Sequence, residues 1–252
     1  MPVGAPEDCA AYAMSANIDP AGRSIDVAAD IRGASPIDGF MHHDRENHLT
    51  PAFSDNRFLQ ALLIWLLALW VMTAIEPFDR RDWLLENLLV FIYGGLLIAT
   101  YRRFKFSNLS YGLFGVFLSL HLVGAHYTYA ETPFGFWLQD ALGLSRNHYD
   151  RIVHFSFGLL IGYPFREFLM RVAGVHREWS YLLVVTVVLG FSGFYEALEG
   201  VVATIVSPEL GSAYLGTQGD EWDAQKDTAL AFGGAICAML ITWSSVRREG
   251  RA

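Results

Sequence analysis

The sequence predicts an all-α protein, a membrane helix bundle of about six transmembrane helices. Of its 252 residues, 53% are hydrophobic and only 17% are charged, a balance typical of membrane proteins. Six apolar stretches approach the ~20 residues that a helix needs to cross a ~30 Å hydrocarbon core. These stretches cover residues 58–75, 83–100, 111–129, 152–170, 180–206 and 228–246.

The first 56 residues differ in composition from the rest of the chain. They contain nine acidic residues against three arginines, so they carry −6 of the formal charge of −8. They have no continuous apolar run of the kind found in a secretory signal peptide. We therefore expect an acidic, disordered tail over residues 1–56 and a six-helix transmembrane domain over residues 57–252. The chain has no basic patch or stripe, which argues against a nucleic-acid partner.

The six stretches are not equally apolar. The first contains no charged residue, and the second contains one, Glu86. The fourth is the least apolar, because Arg166 and Glu167 lie near its end. We expect these two long side chains to reach the membrane interface. Pro164 should bend or end this helix, because proline cannot donate the backbone hydrogen bond of a helix interior.

The basic residues between the stretches predict the orientation of the bundle. Nine lie on one side of the six crossings and five lie on the other. The larger group is Arg102, Arg103, Lys105, Arg166, Arg171, Arg177, Arg247, Arg248 and Arg251; the smaller is Arg80, Arg81, Arg146, Arg151 and Lys226. Since basic loops stay in the cytoplasm, we expect both termini there.

With six crossings, twelve polar or ionisable residues converge at the outer end of the bundle. Ionisable groups at membrane depth are costly, and they usually face a bundle interior or a cavity that forms a site. Several also share a helix face by their spacing, for example Asp150 with His154, four residues apart. The full set is Glu76, Glu86, His121, His126, Asp150, His154, Glu196, Glu199, Gln218, Asp220, Asp223 and Asp227.

We expect six of these residues to carry the chemistry of the site. The catalytic candidates are Asp150, His154, Glu196, Glu199, Asp223 and Asp227; His154, Glu196, Glu199 and Asp227 are also candidate metal ligands; His121, His126, Gln218 and Asp220 are further site candidates. Carboxylates and imidazoles suit a divalent metal ion, which can activate water or polarise a phosphoryl oxygen. The alternatives are metal-free acid–base chemistry and a polar network that holds the bundle together or carries protons or a solute.

Structural explanations compete with the functional one for several of these residues. Glu76 and Glu86 are expected at the membrane interface. Asp220 lies at a helix start, where the helix dipole favours acids in any case. His121 and His126 are five residues apart, so at most one of them should point into the site. Trp222 is expected to anchor the chain at the interface.

Three motifs carry a resemblance to a known family. They are YDRIVHFSFGLL at 149–160, continuing to PFRE at 164–167, then FYEALE at 194–199 and GTQGDEWDAQKD at 216–227. In this order they resemble the YjdF-like bacterial inner-membrane proteins, a family of unknown function. The likeness covers about residues 57–246 and implies a multi-pass protein of the bacterial inner membrane. The long acidic tail is a departure from the family, whose members are typically shorter.

A looser similarity runs to VanZ-like membrane proteins. In those proteins an Asp-x-x-x-His-Phe segment is followed by a glutamate-containing helix and an Asp-x-x-x-Asn helix start. Asp150 with His154, then Glu199, and finally Asp223 with Asp227 would hold these places, with Asp227 standing where those proteins have asparagine. Neither resemblance implies a particular reaction.

Three function classes remain open from the sequence. The first is an enzyme acting on an envelope lipid or its headgroup, with or without a divalent metal ion. The second is a transporter or a proton- or ion-handling protein, although such a protein should also place polar groups at the membrane midplane. The third is a structural or accessory membrane subunit. In all three the lipid bilayer is a partner, and the sequence does not define an oligomeric state.

Overall fold

The computed structural model describes residues 51–249, and over that range it contains eight α-helices and no β-strand. The helices are α1 (Arg57–Ala74), α2 (Arg80–Thr100), α3 (Asn108–His126), α4 (Pro133–Leu142), α5 (Tyr149–Arg171), α6 (Arg177–Ile205), α7 (Pro208–Leu215) and α8 (Asp223–Glu249). A short 3-10 helix, Phe53–Asp55, precedes α1. The predicted tail lies outside the described residues except for its last six. The all-helical fold class is confirmed.

Six long helices correspond to the six predicted stretches. Five of them, α1, α2, α3, α6 and α8, are long and apolar enough to cross a membrane by themselves. The fourth predicted crossing, α5, is long enough at 23 residues, or roughly 34 Å, but it carries more charge. It packs against α3, α6 and α8, so its polar side chains can face other helices instead of lipid. The protein is therefore a polytopic helical bundle.

The closest helix contact is between α5 and α8, which run in parallel. A Cβ atom added to Gly158 of α5 would lie 1.8 Å from the carbonyl oxygen of Ala231, and one added to Gly234 of α8 would lie 2.1 Å from that of Phe155. Glycine is needed at both positions because any side chain would collide with backbone. Such small-residue contacts are the usual way for membrane helices to approach closely.

An apolar core fills the middle of the bundle between α5, α6 and α8. Aromatic side chains of α5 pack against its buried members, which come from α6 and α8. These buried residues are Val184, Val188, Ala231, Ala235, Ala238 and Met239. Many large apolar side chains are exposed on the outer helix faces, including Trp65, Leu67 and Ile98. In a bilayer these outward faces contact lipid tails.

The bundle has an acidic end and a basic end. The acidic end is the one at which α2, α5 and α8 begin, and the basic end is the one at which α3 and α6 begin. The short helices α4 and α7, which the sequence reasoning did not predict, both lie in connections at the acidic end. Each begins with a proline, Pro133 or Pro208, and each stops at a glycine with positive φ, Gly143 or Gly216. These are ordinary helix start and stop signals.

One of the two outcomes expected at Pro164, an end to the helix, is excluded, because α5 continues past it to Arg171. The side chain of Arg166 does not extend outwards from the bundle, because it is buried with its guanidinium over the ring of Tyr181 in α6. Glu167 also points inwards, where the backbone N–H and the hydroxyl of Ser107 donate to it, both at 2.8 Å. The start of α3 is thereby fastened to α5.

Candidate functional site

The site begins in the first turns of α5 at the acidic end. Asp150 and His154 lie one turn apart, and His154 Nε2 is 3.4 Å from Asp150 Oδ1. The same nitrogen is 3.4 Å from Glu196 Oε1 of α6. One imidazole nitrogen therefore faces two carboxylates from two different helices.

Asp227 of α8 completes this group from a third helix. One ligand atom each from Asp150, His154 and Asp227 lie within 4.8 Å of one another. Asp227 is only 2% exposed, and its Oδ1 atom is buried without a hydrogen-bond partner. The glycine contacts between α5 and α8 bring these side chains together, because they hold the first turns of the two parallel helices close.

Glu86 and Glu199 extend the group towards α2. Tyr195 of α6 donates a hydrogen bond of 3.4 Å to Glu86 Oε2. Glu199, one turn after Tyr195, is buried and lies near Glu86, Glu196 and Asp150. Three carboxylates, those of Asp150, Glu196 and Asp227, thus lie beside His154, and Glu86 and Glu199 extend the group to five acids from four helices. We refer to Glu86, Asp150, His154, Glu196, Glu199 and Asp227 as the carboxylate cluster.

His121 connects to the cluster through the backbone of α2. Its Nε2 atom is 3.3 Å from the carbonyl oxygen of Glu86, and its Nδ1 atom is 2.6 Å from the hydroxyl of Tyr129. A carbonyl only accepts, so Nε2 carries the proton and Nδ1 accepts from Tyr129 in a neutral imidazole. Burial raises the pKa of Tyr129 well above its ordinary value, which keeps this phenol a donor. His121 is thus a fully bonded neighbour of the cluster.

Asp82 is a buried acid that the sequence reasoning missed. It is 1% exposed, and neither of its carboxylate oxygens has a hydrogen-bond partner. It lies one turn before Glu86 and close to its carboxylate. The four-residue spacing of Asp82 and Glu86 was the available signal, but it stood at a helix start, where acids are common.

Two arginines neutralise the acids on the connection into α8. Arg146 donates to Asp223 and also, at 2.7 Å, to the carbonyl of Thr217. Arg151 donates to Asp220 and is 3.4 Å from Asp223. In the sequence these arginines served only to predict orientation. Asp223 is therefore an ion-paired residue beside the cluster.

Asp220 belongs to a surface ion pair. The ammonium of Lys226 donates to both of its oxygens, at 2.8 and 2.6 Å, and the backbone N–H of Trp222 donates at 3.1 Å. The Lys226 bond, together with the Trp222 N–H and Arg151, lowers the pKa of Asp220 from 3.8 to about 2. This carboxylate is charged at any physiological pH.

The three remaining predicted residues lie outside the cluster. Gln218 bonds with the backbone of Asn147, accepting from its N–H at 3.0 Å and donating to its carbonyl at 2.9 Å. His126 lies 2.9 Å from the carbonyl of Thr73, so it links α3 to α1. Glu76 is exposed in the turn after α1. Gln218 and His126 therefore form structural contacts at the acidic end.

Comparisons with known proteins agree with this architecture. A family model described as "Predicted membrane protein (DUF2238)" matches residues 58–248. The inner membrane protein YjdF of Escherichia coli (strain K12) is 38% identical over 183 residues, which cover 72% of this chain and 87% of that relative. No solved structure matches significantly.

The matches confirm the YjdF-like resemblance, whereas the VanZ-like similarity stays a prediction. The matched range contains all eight helices apart from the first residue of α1 and the last of α8. An integral membrane protein is therefore established, while the orientation of its termini stays a prediction. This chain belongs to the DUF2238 family of predicted membrane proteins.

Proposed function

We propose that the protein is a membrane-embedded enzyme that acts on an envelope lipid or its headgroup with the help of a divalent metal ion. The observation that carries the proposal is the convergence of ligand atoms from Asp150, His154 and Asp227 within 4.8 Å. The buried Oδ1 atom of Asp227, which lacks a hydrogen-bond partner, supports it. Buried polar atoms without partners are rare in folded proteins and call for an explanation such as an ion.

The charge balance of the carboxylate cluster also supports a bound cation. The cluster contains five carboxylates and one imidazole, and the nearby Arg146 and Arg151 are engaged by Asp220 and Asp223. Several buried carboxylates cannot all be charged without positive charge among them. Protons or a metal ion must therefore neutralise part of the cluster.

The donor set suits a transition ion such as zinc or manganese. One imidazole with carboxylates is typical of such ions, whereas magnesium prefers oxygen alone. Ligand atoms at ~2.1 Å from a tetrahedral ion are roughly 3.4 Å apart, so atoms that lie within 4.8 Å of one another would have to move closer together to hold zinc. A bound ion would lower the pKa of a water molecule and polarise a phosphoryl or acyl oxygen. Glu196, whose Oε1 atom is 3.4 Å from the same His154 nitrogen that faces Asp150, is the candidate general base.

The position of the cluster supports a lipid substrate. The cluster lies at the first turns of α5 and α8 and at the last turns of α6, which is the depth of headgroups rather than of chain ends. A cleft of about 360 Å³ opens at the same end between the starts of α2 and α7, and its wall carries two basic and two acidic side chains, Arg80, Arg81, Asp79 and Glu209.

A transport function has less support from the described residues. Between the acidic end and the basic end, α5, α6 and α8 pack through the apolar core that contains Val184 and Val188. A path for ions or a solute would place polar groups at this depth. An accessory subunit remains the alternative, and it predicts no metal and no turnover.

The test is the metal content of the detergent-purified protein, measured by elemental analysis after loading with zinc or manganese and washing. We expect about one equivalent in the wild type and a loss of most of it in Asp227→Asn, which keeps the size of the side chain but removes its charge. Asp140→Asn, an exposed aspartate of α4, is the matched control and should keep the ion. Both variants should insert and accumulate normally.

Lipid turnover in the same samples tests the enzyme itself. The loaded protein is incubated with an extract of bacterial envelope lipids, and the products are identified by mass spectrometry. We expect metal-dependent loss of one lipid class, absent in Asp227→Asn and His154→Ala. Equal metal in all three proteins would contradict the ion site, and binding without turnover would favour an accessory role.

A further inference from the structure

A second unusual charged residue lies at the basic end, far from the carboxylate cluster. Arg166 of α5 is 7% exposed, and its guanidinium carbon is 4.5 Å from the centroid of the Tyr181 ring. Its Nε atom is buried without a hydrogen-bond partner. Among the carboxylates whose side chains the structure describes, within residues 51–248, none forms an ion pair with it.

The other buried or half-buried arginines of the bundle all have acidic partners. Arg146 contacts Asp223 and Arg151 contacts Asp220 at the acidic end. At the basic end Arg171 contacts Glu167, one turn away on the same helix. Because a buried charge is costly unless it is paired, Arg166 differs from these three arginines in lacking an acidic partner within residues 51–248.

The surroundings of Arg166 favour an anion. The charged group that acts on it most strongly is another arginine, Arg177, which is exposed and is the first residue of α6. The N-terminus of this 29-residue helix faces the same region, and its N-cap residue, His176, makes no side-chain capping bond. Helix N-termini carry partial positive charge and bind phosphate groups. Two guanidinium groups and the start of a helix therefore all favour a negatively charged ligand at this position.

The depth of the site indicates which phosphate it takes. Arg166 lies five residues before the end of α5, or roughly 7–8 Å along the helix axis. Because α5 is roughly 34 Å long and the hydrocarbon core is ~30 Å thick, Arg166 lies a few ångström inside the edge of the core, where a long side chain reaches the lipid headgroups. Exposed apolar side chains, Phe168, Val172 and Trp179, flank it in the chain and offer a surface for acyl chains. Basic pockets between membrane helices are known to bind lipid phosphates.

We propose that Arg166, Arg177 and the N-terminus of α6 form a binding site for the phosphate of an anionic phospholipid. Tyr181 holds the guanidinium of Arg166 in place by a cation–π contact. The site is separate from the carboxylate cluster and does not depend on its chemistry. It binds one lipid headgroup at the junction of α5 and α6.

The test is ligand-dependent thermal stabilisation of the detergent-purified, delipidated full-length protein. The probes are phosphatidylglycerol, phosphatidylcholine at equal concentration, and inorganic phosphate. We expect saturable stabilisation by phosphatidylglycerol only. Arg166→Gln should weaken the apparent affinity roughly tenfold or more, since a charged hydrogen-bonding partner is lost. Arg177→Gln should weaken it too, and its exposed side chain makes a folding defect improbable as the cause.

Arg247→Gln is the matched control. Arg247 also lies over an aromatic ring, 3.8 Å from the centroid of Trp243, near the same end of the bundle, but it is exposed. This variant should bind phosphatidylglycerol like the wild type. The proposal is overturned if phosphatidylcholine stabilises the protein equally, or if Arg177→Gln and a folded Arg166→Gln both keep wild-type affinity. Equal stabilisation by inorganic phosphate would overturn the lipid as the source of the anion.

Discussion

At the scale of single residues, the buried acids at the acidic end fall into two groups. Asp223 is ion-paired with Arg146 and Arg151, so its burial is compensated. Asp82 has no hydrogen-bond partner on either oxygen, and Asp227 has none on Oδ1. A protein that retains such acids gives up stability for another purpose, and residues of this kind concentrate at functional sites.

Asp82 should therefore lower the stability of the folded protein. We expect Asp82→Asn to raise the unfolding free energy, because it removes the charge of a buried carboxylate that has no hydrogen-bond partner. The thermal midpoint of the purified protein measures this. Asp79→Ala is the contrasting variant. It removes a cap that accepts from Arg81 and Asp82 N–H groups at 2.7 and 3.1 Å, so it should lower stability by about 1 kcal/mol. A destabilised Asp82→Asn would mean that the carboxylate has a partner.

Asp220 predicts a pH dependence. Its pKa falls from 3.8 to about 2, first because of Lys226 and then because of the Trp222 N–H. An acid whose pKa is lowered by folding stabilises the folded state at pH values above its ordinary pKa. This stabilisation is lost as the pH falls towards 2. The difference in thermal midpoint between wild type and Asp220→Asn should stay constant from pH 7 to pH 5 and vanish near pH 2. A difference that grows on acidification would contradict the assignment.

At the scale of helices, the contact between α5 and α8 decides where the site residues meet. Asp150 and His154 lie on α5 and Asp227 lies on α8, so their distances depend on how closely the two helices approach. Gly158 and Gly234 allow that approach. The short helices α4 and α7 could have been predicted, because each has a proline start and a glycine stop in the sequence.

The neighbouring glycines of α8 give a direct test. A Cβ at Gly234 would lie 2.1 Å from backbone of α5, whereas a Cβ at Gly233 meets nothing within 4 Å. We expect Gly234→Leu to destabilise the bundle by more than the ~1–3 kcal/mol of ordinary overpacking, because backbone cannot move aside. Gly233→Leu should be close to neutral. Thermal midpoint and detergent gel filtration distinguish them, and equal behaviour would refute the close contact.

At the scale of the whole molecule, the order of crossings brings the polar groups together. The connections before α2, α5 and α8 all lie at the acidic end, so residues up to 109 positions apart, such as Glu86 and Tyr195, come into contact. This holds whichever way the bundle is oriented. The excess of basic residues at the other end favours that end as cytoplasmic.

Cysteine labelling tests the orientation. In a chain with Cys9 and Cys237 replaced by serine, Glu221→Cys should react with a membrane-impermeant maleimide in cells whose inner membrane is intact. Glu178→Cys, at the start of α6, should react only after that membrane is permeabilised. Both glutamates are exposed, so access by the reagent is the only difference. The reverse pattern would invert the orientation and leave the convergence of polar groups unchanged.

Local sequence was sufficient for the fold class, for the six long helices and for most members of the carboxylate cluster. Hydropathy is a property of contiguous residues, and membrane depth limits the positions that a charged residue in a crossing can take. Local sequence was insufficient to predict the burial of Asp82 and Arg166. Asp82 was not among the predicted residues and Arg166 was expected at an interface, yet packing against other helices buries both.

Tertiary structure alone decided which acids have partners. Asp223 and Asp227 lie one turn apart on the same helix, and their spacing in the sequence makes them equivalent. Arg146, 77 residues from Asp223, neutralises that residue, while Asp227 faces Asp150 and His154 with an oxygen that lacks a hydrogen bond. The physical reason is that the energy of a buried charge depends on the nearest opposite charge in space, whereas hydropathy depends on neighbours along the chain.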